Sequence, residues 1–121
     1  MGLMFPKTQV KKKKRMHHPK SILHNKEDRT CYLCILLDGN YNPHIVLHEH
    51  HIFNGNPNRD HSEEYGLKVY LCLEHHETGK LSVHNCKYTR ELLKKIGQRA
   101  FEETHTREEF RRIFNGNYLE E

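Results

Sequence analysis

Long apolar runs are missing from this 121-residue chain. No stretch approaches the ~18 apolar residues of a membrane-spanning helix, so no membrane association of that kind is expected. The opening Met-Gly-Leu-Met-Phe-Pro is too short for the apolar region of a secretory signal, and none is expected. Core-forming material is also scarce. Hydrophobic residues make up 35% and charged residues 30%, with a mean hydropathy of -0.95. A single domain of this size with so thin a core is expected to rely on a staple, either metal or disulfide. Cysteine is sparse as well, at four residues, and no internal repeat is evident. In the reducing compartment implied by a chain without a signal, closely spaced Cys bind metal more often than they form disulfides.

Histidine, by contrast, is abundant: twelve residues, dispersed along the chain and not gathered as a tag. Positive charge is concentrated at one end. Residues 1–30 hold nine Lys/Arg against two acids, while residues 31–121 hold eleven against fourteen. Residues 1–20 read as a disordered basic arm, and Lys11, Lys12, Lys13, Lys14 and Arg15 are expected to contact phosphates in a salt-sensitive way. Further along, residues 31–34 read as a tight turn and 38–43 as a loop. Residues 44–53 read as a strand, 54–64 as a second loop and 67–71 as a short strand. Residues 72–78 suggest a helical turn or two stopped by Gly79. Residues 89–103 form a helix with Leu92, Leu93, Ile96, Ala100 and Phe101 on one stripe. A last helix starts at Thr106, where Glu109 completes a capping box, presents Phe110, Ile113 and Phe114, and stops at Gly116.

Two matched pairs predict a metal site. Cys31 and Cys34 are spaced C-x2-C, and Cys72 and His75 are spaced C-x2-H. A two-residue gap lets both side chains of a turn converge on one ion, and four such ligands close a tetrahedron around structural Zn²⁺. Cys86 has no local partner and reads as a free thiol. A polar run, His48-Glu49-His50-His51, interrupts an otherwise apolar segment. Burying such groups unpartnered costs about 1–3 kcal/mol each, so they are expected to face something polar. His50 and His51 are adjacent in extended chain and point to opposite sides; one can ligate an ion while the other works beside it. His76 likewise points about 100° away from its neighbour His75 on a helix. His84 can join His76 only if the helix ends at Gly79 and the chain folds back.

The spaced pattern CYLC…EHHIFNGNPNR…SEEYGLKVYLCLEHH…VH resembles the HNH nucleases of the ββα-metal type, particularly their small phage-encoded members, over residues 21–118. The resemblance implies an α+β fold: a hairpin–helix core around one divalent cation, tied by a Cys3His zinc site and followed by C-terminal helices. It places His50, His76 and His84 as ligands of a catalytic Mg²⁺, Mn²⁺, Ni²⁺ or Zn²⁺, and His51 as general base. The middle Asn of the family's motif has no counterpart near Tyr65; Asn58, Asn56 or Asn54, or Tyr65 itself, is expected to fill it, with Asn58 foremost. Arg59 is a further phosphate-contact candidate, whereas Arg107, Arg111 and Arg112 read as a solvated face with the pairs Glu103–Arg107 and Glu108–Arg112. The implied activity is hydrolysis of DNA phosphodiester bonds in the cytoplasm of a bacterial or phage-infected cell. A non-catalytic zinc-binding nucleic-acid module and an adaptor of phage replication or recombination are the alternatives. Oligomeric state has no signature in the sequence.

Overall fold

The computed structural model describes residues 18–119, so Lys11–Arg15 lie outside the described residues. Among the described residues the fold is a mixed helical and β structure with one small two-stranded antiparallel sheet. Cys31 opens α1 (Tyr32–Asp38): its sulfur accepts the Cys34 N–H at 3.4 Å, and Gly39, at φ 65°, ends the helix. The turn expected at 31–34 is thus the first turn of a helix. β1 (His48–His51) and β2 (Lys68–Leu71) pair antiparallel, with His48 opposite Leu71, Glu49 opposite Tyr70, His50 opposite Val69 and His51 opposite Lys68. The strand is shorter than the apolar pattern over 44–53 suggested. Ile45 and Val46 are 89% and 64% exposed, while Ile52 and Phe53 turn into the core beyond the ladder.

The segment expected as a loop over 54–64 instead contains α2 (Asn58–Tyr65). Turn-forming residues disguise it, because its buried contact comes from a small polar side chain. Ser62 is fully buried; its hydroxyl donates to the Phe53 carbonyl at 2.7 Å and accepts the Phe53 N–H at 3.0 Å. Gly66 ends α2 at φ 70°, where a Cβ would stand 2.6 Å from the Lys20 carbonyl oxygen. Positive φ and that close approach both require glycine.

After β2 the chain makes a π-type turn, Glu74–Thr78, ended by Gly79 as the sequence suggests. α3 (Lys87–Phe101) buries Thr89, Leu93, Gly97 and Phe101 along one i, i+4 stripe. Gly97 lets Ile52 and Phe53 lie directly against its backbone. α4 (Arg107–Phe114) begins with the anticipated capping box between Thr106 and Glu109, and ends one position before Asn115, which adopts φ 56°. Arg107 pairs with Glu102 at 2.9 Å, not with Glu103. An aromatic core joins these elements: Phe53 lies 5.2 Å from Phe110 and 4.9 Å from Phe114 between ring centroids, and Phe101 lies 5.5 Å from Phe110. It seats the end of β1 on α3 and α4 and so fixes where the hairpin's histidines point.

Candidate metal centre and histidine cluster

Cys31 sits at the start of α1, Cys34 one turn into it, Cys72 just past β2 and His75 in the π-type turn. All four are buried, and their ligand atoms lie within 4.8 Å of one another. The His75 Nδ1 stands 3.6, 3.5 and 3.5 Å from the sulfurs of Cys31, Cys34 and Cys72, and the Cys34 and Cys72 sulfurs are 3.9 Å apart. Tetrahedral bonds of ~2.3 Å to sulfur and ~2.0–2.1 Å to nitrogen imply edges of roughly 3.8 Å between sulfurs and 3.5 Å between sulfur and nitrogen. The group therefore has the dimensions of a closed site compatible with a structural metal such as zinc. Burial and the adjacent Cys31 and Cys72 thiols push the Cys34 thiol well above its ordinary range, and burial raises that of Cys31. A dication would reverse this by binding the thiolate forms. His44, not anticipated, brings its Nε2 to 3.8 Å from the Cys34 sulfur. Cys86 stands outside the group.

On the neighbouring surface four imidazoles gather. The chain folds back after Gly79: Val83 N–H donates to the His75 carbonyl at 2.9 Å, and the Asn85 amide donates to the Glu77 and Gly79 carbonyls at 2.9 and 3.0 Å. His84 is thereby carried to His76, with ring centroids 4.8 Å apart. From β1, His50 and His48 approach the same ring to 5.8 and 5.0 Å. The Nδ1 atoms of His48 and His76 are only 2.9 Å apart. His48, His76 and Glu77 bring ligand atoms within 4.8 Å of one another, and His50 and His84 border that group through His76. From sequence alone, His48 has no role beyond belonging to the polar run of β1. The signal for it was alternation: in a strand, His48 must share a face with His50. Burial, with His76, His84, His51 and Lys94 nearby, lowers the His50 pKa to about 4. Burial and the neighbouring His84 and His48 lower that of His76. Both imidazoles are therefore neutral near pH 7, the form that binds a cation.

His51 occupies the opposite face of the hairpin. It is 7% exposed, and its Nε2 lies 2.7 Å from a carboxylate oxygen of Glu63 on α2. Lys68, directly across the ladder, reaches both Glu63 oxygens at 3.1 and 3.0 Å and Glu49 at 3.2 Å. Glu49, His51 and Glu63 are also spaced closely enough for a metal, but the Lys68 ammonium already supplies the positive charge there. Asn58, expected beside the base, spends its amide on the Phe114 carbonyl at 3.2 Å. Tyr65 is packed among Phe101, His105 and Phe114. Arg59 is exposed and lines a shallow recess with Gly55, Asn56 and Asp60. Glu63 was not foreseen, since its helix was read as loop.

No family model matches the chain, and neither the curated proteins nor the solved structures contain a match to it. Among the described residues, no helix is long and apolar enough to cross a membrane.

Proposed function

We propose that the protein is a metal-dependent endonuclease that hydrolyses DNA phosphodiester bonds, with zinc at the Cys3His group and a second divalent cation at the histidine cluster. The observation behind this reading is the gathering of His48, His50 and His84 around His76, one residue past the Cys3His group and one residue along β1 from His51. His76 would hold the second cation, either with His50 and His84, as the sequence suggests, or with His48 and Glu77, whose ligand atoms converge on it. When bound, that cation would polarise a phosphate oxygen and offset charge as the ester bond breaks.

The chain's own groups account for the remaining chemistry. His51 takes a proton from water as that water attacks phosphorus. A positioned base of this kind is worth ~10²–10⁴-fold. Among the described residues, β1 pairs with a strand on one side only. A phosphodiester laid along its free edge addresses both faces, with His50 on one and His51 on the other. Arg59, in the first turn of α2, would hold flanking phosphate, and Lys11–Arg15 add salt-sensitive affinity.

Nicking of supercoiled plasmid in Mg²⁺, Mn²⁺, Ni²⁺ or Zn²⁺, with wild type beside His51→Ala, tests the reading. The variant should fold and retain one tightly held zinc while nicking at least about 100-fold more slowly. Equal rates, or no nicking by wild type with any of these ions, would refute it. The Cys3His group taken by itself fits a second reading, a non-catalytic zinc-binding nucleic-acid module. That reading requires one bound metal per chain; the nuclease requires a second, more exchangeable one.

A further inference from the structure

We propose that Glu63 is the positioning residue for His51, accepting its Nε2–H and so presenting Nδ1 as the proton acceptor. The inference rests on the nuclease reading and supplies a part that the sequence left open, namely what orients the base. Three observations carry it. First, the Glu63 carboxylate, 2.7 Å from Nε2, is the group that His51 bonds among the described residues. Second, two of the other candidates are engaged elsewhere: the Asn58 amide donates to Phe114, and the Tyr65 ring is packed against Phe101. Third, Glu63 is itself held. Lys68 donates to both of its oxygens, and His18 Nδ1 lies 2.9 Å from one of them.

A carboxylate can only accept, so a bond to it specifies the imidazole tautomer that carries its proton on Nε2. Nδ1 is then left with a free lone pair. Among the described residues, Thr89 Oγ1 is the one side-chain polar atom both buried and unpartnered. Nδ1 has no hydrogen-bond partner among the described residues and is not among the fully buried atoms, so its lone pair is left for a water molecule. The register makes the arrangement stable: His51 and Lys68 are directly opposed, so their side chains share a face, and α2 lays Glu63 between them. Burying Lys68, which is 5% exposed, is tolerable only with such partners and commits the carboxylate to its ionised form. Burial alone would raise the Glu63 pKa, but the bonds from His51, His18 and Lys68 outweigh it and lower it to about 2.

The test pairs a spectroscopic readout with activity. Nitrogen-15 NMR of wild-type protein at pH 7.5 should show His51 protonated at Nε2 and unprotonated at Nδ1. In Glu63→Gln this tautomer should lose its dominance, and nicking should fall by roughly 100-fold or more. Glu63→Asp, which keeps the acceptor on a shorter arm, should recover part of both. A wild-type His51 protonated at Nδ1 would overturn the proposal, and so would a Glu63→Gln variant with unchanged tautomer and rate. If Glu63→Gln fails to fold, the wild-type tautomer still decides. If wild type nicks no substrate while His51 shows the Nε2–H form, the nuclease reading fails and the Glu63–His51 pairing stands as a structural one.

Discussion

With zinc in the Cys3His group, as proposed, removing the metal should unfold more than the group itself. α1 shows why. Ordering its seven residues costs ~7–14 kcal/mol, at ~1–2 kcal/mol per residue of backbone. Against that cost, the helix fully buries Leu33 and the Cys34 side chain, with Tyr32 and Leu37 half-buried. Such burial contributes about 5 kcal/mol at 1.5–3 kcal/mol for a full apolar side chain. The deficit is several kcal/mol. A structural zinc contributes ~10–16 kcal/mol of apparent folding free energy and covers it. Cys34→Ser leaves three ligands and a buried hydroxyl where a thiolate belongs. A loss of about 3–5 kcal/mol is expected, at the level of other broken buried networks. For a domain of this size that lowers Tm by about 12–20 °C. Thermal melts followed by circular dichroism, with zinc release monitored by a colorimetric chelator, measure both quantities. Hydrogen exchange should show protection lost first in α1 and in residues 39–47. If Cys34→Ser and wild type melt within a few degrees, or if wild type unfolds without releasing zinc, the reasoning is refuted.

Two further perturbations probe other parts of the fold. Ser62→Ala strands the Phe53 N–H and carbonyl inside the core, at about 1–3 kcal/mol for each unpaired group, so urea denaturation should show a loss of about 2–6 kcal/mol; a loss below 1 kcal/mol would remove Ser62 as the pin between α2 and β1. Native protein should offer one fast-reacting thiol, Cys86, out of four, with the other three appearing after chelation in denaturant. Because Thr89, close by at the start of α3, lowers the Cys86 pKa below the ordinary range, its thiolate fraction at pH 8 exceeds that of an unperturbed thiol. Its alkylation rate should therefore level off at a lower pH, and a midpoint at or above 9 would contradict the assignment.

Features set by residues near one another in sequence were legible beforehand. The C-x2-C and C-x2-H spacings, the Thr106–Glu109 capping box, the Leu93 and Phe101 positions of the α3 stripe and the stop at Gly79 all depend on a few consecutive residues and on local geometry, whereas Leu92, Ile96 and Ala100, expected on that stripe, are only partly buried. α2 was not legible, because Asn-Gly-Asn-Pro-Asn-Arg-Asp is written in turn-forming residues. Its helix is held by a contact from Ser62 to Phe53, nine residues away, and not by an apolar stripe. Gly66 after Tyr65 was the available signal, as a glycine just past a helix end.

By itself, the sequence determined that sulfur and imidazole would converge in two matched pairs and that a run of histidines would interrupt a strand. Only the tertiary structure decided which histidines meet. His48 reaches His76 across 28 residues and His51 reaches Glu63 across 12, and both depend on a hairpin register that slips every side chain to the other face if shifted by one. That register is held by Ile52 and Phe53 packing on α3 and α4, contacts made far along the chain. Local spacing can specify a ligand pair, but the face on which a side chain lies is set by what the rest of the molecule packs against it.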